Sequence, residues 1–295
     1  MLSVTRRTQR PTLLIVGCGD VGIRVVKLLR GRFRLLALAT SVDRSSAIRE
    51  AGAVPLIGNL DEPATLARLA GLTDAVLHLA PPPGEGLSDP RTAHLLQALA
   101  RKGRVQRIVY ASTTGVYGDC GGAQFDETRL VNPTTDRARR RVDAESRLRW
   151  FGRACGVRVT ILRIPGIYAV NRPGGHPRER LERGTPVLSA QDDVFTNHIH
   201  ADDLARVCVA ALARGRPQRV VHASDDTDMK MGDYFDLAAD IAKLPRPPRI
   251  SRDEARQQMS PMLLSFMSES RRLRNDRLKN ELGVKLHYPT VQTGL

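Results

Sequence analysis

Three glycines constrain this chain more than any other feature. Residues 12–17, TLLIVG, are an uncharged apolar run that passes directly into Gly17-Cys18-Gly19-Asp20-Val21-Gly22. A run of that length bounded by glycine predicts a buried strand. From Asp20 to Arg30, Val21, Val25, Leu28 and Leu29 recur at helical spacing, which predicts a helix. GxGxxG at a strand-to-helix turn has a definite physical meaning. Gly17 permits the tight turn, Gly19 leaves bare backbone for an approaching anion, and Gly22 lets helix and strand pack closely. The helix N-terminus adds unpaired N–H groups and the positive end of its dipole. The expected ligand is the pyrophosphate of a dinucleotide, NAD or NADP, held by Gly17, Gly19, Asp20, Val21 and Gly22. The plainer alternative is a glycine turn needed only for packing.

The alternation continues downstream. Strands are predicted at 33–39, 53–58, 75–80, 105–112 and 157–164, separated by helices at 45–51, 61–70 (capped by Asp61), about 90–102 and about 134–155. Crossovers of this kind give parallel strands, and near-continuous apolar strands fit a sheet covered on both faces. The fold class is therefore α/β: a Rossmann-type doubly wound parallel sheet with a smaller C-terminal substrate lobe. Residues 1–10 read as a basic tail, 11–168 as the dinucleotide-binding domain and 169–295 as the lobe, with about 197–224 returning to the core. Within the lobe, 171–180 reads as a loop entering a helix, 218–224 as a strand, 231–243 as a helix and 253–282 as one charged helical segment.

The formal net charge is +15, and only six of the 46 basic residues are lysine. Such a balance raises nucleic acid as a partner. The arginines are spread over many segments and aromatics make up only 4 % of the chain, so nucleic acid is not the expected partner. No run is long and apolar enough to span a membrane, and MLSVTRRTQR lacks the apolar stretch of a secretory leader. Cys18, Cys120, Cys155 and Cys208 have no zinc or CxxC spacing. A reducing, cytoplasmic setting without a metal is expected. Cys18 reads either as a thiol activated by the helix N-terminus or as a small residue filling a tight turn.

The end of the second strand selects between cofactors. An acidic residue there binds the ribose 2′-hydroxyl, whereas arginine receives a 2′-phosphate. The segment 39–46 reads ATSVDRSS, with Thr40 and Ser41 at the strand end and Asp43 and Arg44 beyond. Hydroxyls with a guanidinium favour NADP. Asp43 keeps NAD open.

GNLDEPATL (58–66), HLAPPP (78–83), YASTTGVYGD (110–119), RIPGIY (163–168) and NHIHADDLA (197–205) complete a pattern. The chain resembles short-chain dehydrogenases/reductases of the extended and atypical kinds, the NAD-dependent epimerase/dehydratase-like group. The resemblance implies that Asn59 and Leu60 lie near adenine, with asparagine where the family usually has aspartate. It places Leu79, Ala80 and Pro81 against the cofactor, Arg163 and Pro165 beside the nicotinamide, and His200 and Asp203 at the lobe boundary. It also implies a small-molecule substrate, and a homodimer formed through the helices at 90–102 and 134–155.

One departure matters most. The family carries Tyr-xxx-Lys on the long helix; here those positions are Arg137 and Arg141. Arg141 can stand for lysine as a fixed cation facing ribose. Arg137 cannot stand for tyrosine, because a guanidinium does not give up a proton; its expected role is an anionic group of the substrate. Thr113 aligns with the upstream catalytic hydroxyl, Ser112 precedes it, and Tyr117 is a candidate substitute acid. Arg137, Arg141 and Glu145 share one helical face, readable as a salt-bridged surface or as a face turned to a ligand. Two functions remain open: an atypical oxidoreductase, epimerase or dehydratase acting on a carbonyl or sugar-like substrate, and a non-catalytic NAD(P)-dependent sensor.

Overall fold

A computed structural model describes residues 10–295; the expected basic tail falls almost wholly outside them. Seven strands form the main sheet: β1 (Thr12–Val16), β2 (Arg34–Ala39), β3 (Val54–Ile57), β4 (Ala75–His78), β5 (Arg107–Thr113), β6 (Arg158–Ile164) and β7 (Arg219–His222). All neighbours are parallel, in the order β3-β2-β1-β4-β5-β6-β7. The order reverses between β1 and β4, so a crevice opens beyond their carboxyl ends.

The strand sequences explain the layers. Side chains alternate across a strand, so Leu13 and Ile15 enter one core and Leu14 and Val16 the other. The first core is closed by α1 (Asp20–Leu29), through Val25, Val26 and Leu29, and by a long helix, Ala201–Arg214, through Leu204, Ala205 and Cys208. The second is closed by α3 (Pro90–Ala100) and α4 (Asp136–Ala154), which supply Leu95, Leu99, Leu148 and Phe151. Between these elements, α2 covers Ser45–Ala51. Among the described residues no helix is long and apolar enough to cross a membrane.

Residues beyond 168 divide between sheet and lobe. Ala201–Arg214 packs on α1, and β7 extends the main sheet. Gly166–Tyr168 and His198–His200 pair as a short parallel ladder. His198 and His200 lie on one face of it, stacked on Tyr234 and Tyr288 with Tyr168 between them. Buried Asp203 accepts hydrogen bonds from the His287 and Tyr288 amides at 3.0 and 2.8 Å, which ties the C-terminal segment to the core. A separate small core gathers Tyr168, Leu181, Val187, Phe235 and Val291.

Two expected elements differ. The segment 253–282 is not one helix but Arg252–Gln258, Pro261–Phe266, a short strand at Arg272–Leu273, and Asp276–Asn280. Pro261 has no N–H to continue a helix, and Ser260 caps a new one by accepting from the Leu263 amide. The turn after β3 is a 3-10 helix, Pro63–Leu69, entered at Glu62 without a side-chain cap. Asp61 does not cap it; its carboxylate pairs with Arg91 at 2.7 Å.

Candidate functional site

The crevice holds two cavities. The larger, about 670 Å³, lies beyond β1, β2 and β4. Gly17, Gly19, Thr40, Ser41 and Arg44 line one side, and Asn59, Leu60, Leu79, Ala80 and Pro81 the other. Gly17 has φ +86°, and a Cβ there would stand 2.6 Å from Ala80 Cα. The turn therefore crosses the end of β4 at a distance only glycine allows. At Gly19 a Cβ would meet nothing within 4 Å, so its face opens to the cavity. Gly22 faces inward, with Cys18 Sγ and Gly17 O each 3.3 Å from where a Cβ would be.

Gly19 is also the N-cap of α1, and no side chain caps that helix. An uncapped N-terminus beside an open glycine is the donor arrangement a pyrophosphate requires. The dinucleotide fits these residues, though not every expected contact is in place. Val21 is buried against the sheet. Asp20 does not line the cavity; its carboxylate is held by Arg24 and by Arg172, the latter at 2.8 Å. The Cys18 thiol is not activated, because burial pushes it up to about 11 against the opposing pull of Arg44. Arg44 reaches over the loop and donates to the Cys18 carbonyl at 3.1 Å. Asp43, by contrast, is exposed and not part of the lining. The Asn59 side chain accepts from the Asp61 amide and donates to Glu62, which shapes the cavity wall.

The smaller cavity, about 310 Å³, brings Thr113, Arg137, Arg141 and Pro165 together with Phe266, Glu269 and Arg271. The last three come from the segment expected to be one helix. Their charge pattern carried no signal of a site, because they reach the cavity only through the break of this segment into shorter elements. Thr113 Oγ1 accepts from the Gly115 amide at 3.2 Å, which caps the turn after β5 and leaves the hydroxyl proton free to be donated. Arg141 donates to the Ala111 carbonyl at 2.8 Å and to the Tyr110 hydroxyl at 3.0 Å. Arg137 lies over the Phe266 ring, 4.5 Å from its centroid. The shared face of α4 thus runs from exposed Arg137 at the cavity's edge, through part-buried Arg141, to buried Glu145, which is ion-paired with Arg163 inside the fold.

The run Arg139-Arg140-Arg141 divides in the same way. Arg139 pairs with Asp136 on the surface, while buried Arg140 donates to the Gly86 carbonyl. The run is not a continuous basic patch. Among the described residues, no group of three His, Cys, Asp or Glu side chains is placed to hold a metal ion.

Three expected site residues are elsewhere. Ser112 is buried and donates to Glu145 at 2.6 Å. Arg163 is buried in a two-point ion pair with Glu145 at 2.7 and 3.1 Å and lines neither cavity. Tyr117, 1 % exposed, accepts from Arg163 at 2.7 Å and meets His222 Nε2 at 2.6 Å. His222 Nδ1 faces the Arg274 carbonyl at 2.9 Å, so Nδ1 carries the proton and Nε2 accepts from Tyr117. Burial pushes the Tyr117 phenol up to about 12 although Arg163 opposes it. Tyr117 is a structural link with its proton committed, not a substitute acid. The aliphatic strand around these residues gave no sign that their polar atoms would satisfy one another behind the cavity.

A family model for the NAD dependent epimerase/dehydratase family matches residues 13–223. The chain belongs to that family. A solved structure of a functionally unknown conserved protein from Silicibacter pomeroyi DSS is similar, with 33 % identity, TM-score 0.81 and 96 % of both chains covered. A dTDP-glucose 4,6-dehydratase double mutant from Streptomyces venezuelae, with NAD and DAU bound, shares the fold at 21 % identity and TM-score 0.76, covering 95 % of this chain and 94 % of that one. A dTDP-D-glucose 4,6-dehydratase of Bos taurus is 23 % identical over 189 residues, which is 58 % of this chain. The match spans only about half, 52 %, of that relative's length. As a member of the epimerase/dehydratase family, the chain carries arginines at 137 and 141, both lining the smaller cavity.

Proposed function

We propose that this family member binds NADP in preference to NAD and uses it to transform a carbonyl-bearing or sugar-like small molecule by reduction, epimerisation or dehydration. The observation that carries the reading is Gly19, open to the larger cavity at the uncapped N-terminus of α1. The family's NAD dependence and the named dehydratases support it. Arg44 lining the cavity while Asp43 stays outside favours the 2′-phosphate of NADP. The cofactor, when bound, supplies the hydride chemistry. Thr113 would orient the substrate carbonyl, and Arg141, fixed by two neutral acceptors, would present its charge to ribose.

Unpaired cysteines among the described residues suit a reducing cytoplasm. The apolar groove between α3 and α4, where Trp150 is 66 % exposed, suits a homodimer. A second reading, a dinucleotide sensor without turnover, is favoured by one observation: among the described residues no tyrosine lines the smaller cavity.

Thermal unfolding with millimolar NADP or NAD tests the proposal. A ligand at about 100 times its Kd adds roughly 2.7 kcal/mol. NADP should raise the midpoint more than NAD, and Arg44→Ser should remove the difference. No rise with either cofactor would refute the reading. Thr113→Val should abolish turnover while sparing the NADP response; turnover unchanged in that variant would remove its assigned role, and no turnover of any carbonyl substrate by the parent protein would favour the sensor.

A further inference from the structure

We infer that the smaller cavity is built for a substrate carrying a carboxylate or phosphate group, gripped by Arg137, with Arg141 adding its charge from the ribose side. This rests on the proposed function and names the substrate class of the same site. Three guanidinium groups line the cavity against one carboxylate, Glu269. Arg271 pairs with Glu269 at 2.6 Å, so that carboxylate is already answered. Arg141 touches only neutral acceptors, the Ala111 carbonyl and the Tyr110 hydroxyl. Arg137 has no hydrogen bond or ion pair among the described residues and rests on the Phe266 ring. On the same helix, Arg139 and Arg147 each pair with a carboxylate, Asp136 and Asp143. Among the described residues four arginines of this helix have no carboxylate partner; Arg140 is spent on the Gly86 carbonyl and Arg153 lies at the far end, while Arg137 and Arg141 line the cavity.

Positive charges gathered in a half-closed cleft repel one another and lose hydration. Loss of water lowers the Arg137 pKa; Glu269 offsets this, while Arg141 and Arg271 add to it. A ligand that brings the missing anion removes the conflict. Guanidinium is the group best shaped for the task, because its planar fork meets carboxylate or phosphate oxygens two at a time. Stacking on Phe266 holds the Arg137 plane in place before the ligand arrives. The anion-bearing end would then lie over α4 with the reacting carbonyl at Thr113. A cavity of about 310 Å³ suits a small acid or a sugar phosphate.

Thermal unfolding titrations with sodium phosphate and with malonate, each set against sodium chloride at equal ionic strength, test this with and without NADP. The parent protein should gain stability from phosphate or malonate beyond the chloride control. Arg137→Met should weaken that response on the order of tenfold or more. Arg137→Lys should fall between the two, and Arg139→Met should respond like the parent. A response to malonate alone assigns a carboxylate, and one to phosphate alone assigns a phosphate. Phosphate that merely settles at the glycine loop would be competed by NADP and unaffected by Arg137→Met. An undiminished response in Arg137→Met, or no response in the parent, overturns the inference. A rise with NADP but no anion response sinks this inference alone; no rise with NADP sinks the proposed function.

Discussion

Replacing Gly17 with alanine, and separately Gly19 with alanine, should split folding from cofactor binding. An alanine at 17 would have to hold φ near +86°, which costs an L-residue about 1–2 kcal/mol. Its Cβ would also press on backbone, 2.6 Å from Ala80 Cα and 2.8 Å from the Leu79 carbonyl carbon. That backbone cannot retreat freely, because the Leu79 and Ala80 amides donate to Val16 O at 2.7 and 3.0 Å. Overpacking of this kind adds about 1–3 kcal/mol. The sum, roughly 2–5 kcal/mol, is a large part of an ordinary stability of about 5–15 kcal/mol. It should lower the unfolding midpoint on the order of 5–15 °C. Gly19 sits at φ −83° with open space around it. Alanine there should cost at most about 1 kcal/mol, through the weaker helix cap, yet its methyl group would occupy the approach to the pyrophosphate. Calorimetry without ligand, followed by the midpoint rise at fixed NADP, reads both effects. The close crossing is refuted if Gly17→Ala unfolds with the parent protein. The binding role of Gly19 is refuted if Gly19→Ala keeps the full NADP response.

Tyr117→Phe should destabilise the fold by about 2–4 kcal/mol, because Arg163 loses an acceptor and His222 a donor in a buried setting; a stable variant lacking only turnover would return Tyr117 to the role of acid. Acid should weaken the protein over a defined window. Burial pushes His78 and His198 down to about 3 and His222 down to about 4. The unfolded chain therefore takes up more protons once pH falls below about 6.5. Stability from these histidines is whole above that pH and is lost towards pH 4, at up to about 1.4 kcal/mol per pH unit for each. Asp225, raised to about 7 by burial, acts with the opposite sign, and its contribution is lost as pH rises through 7. Denaturant titrations from pH 7.5 to 4.5 should show the net fall on the acid side, less steep in His222→Gln. Trp150→Glu should convert a dimer to monomer in sedimentation without lowering the NADP response; an unchanged dimer would place the interface elsewhere.

How much of this was legible in the sequence depends on how local the cause is. The glycine turn, the parallel strands and the pairing of hydrophobic faces follow from neighbours within a few residues, and β1 through β6 lie close to where periodicity puts them. The larger cavity was largely legible too, because its lining comes from strand ends and the turns that follow them. The helix Ala201–Arg214 is legible only in part: Leu204, Val207, Cys208 and Ala211 recur at helical spacing, but nothing local says that this face packs on α1. The smaller cavity resisted reading for another reason. Arg137, Arg141 and Thr113 were visible as candidates, but nothing in their own segments says that Phe266, Glu269 and Arg271 would close over them.

By itself the sequence determined the sheet, its parallel crossovers and the backbone opening at Gly19. These are consequences of sterics and hydrophobic periodicity acting over short stretches of chain. Only the tertiary structure decided which polar groups answer one another. It sent Ser112, Tyr117 and Arg163 into a buried network with Glu145 and His222, and left Arg137 and Arg141 facing the crevice without an acidic partner. A side chain's charge is written in the sequence, but its partner need not be near: Arg163 and Glu145 are 18 residues apart and Tyr117 and His222 are 105 apart, and only folding brings them within reach.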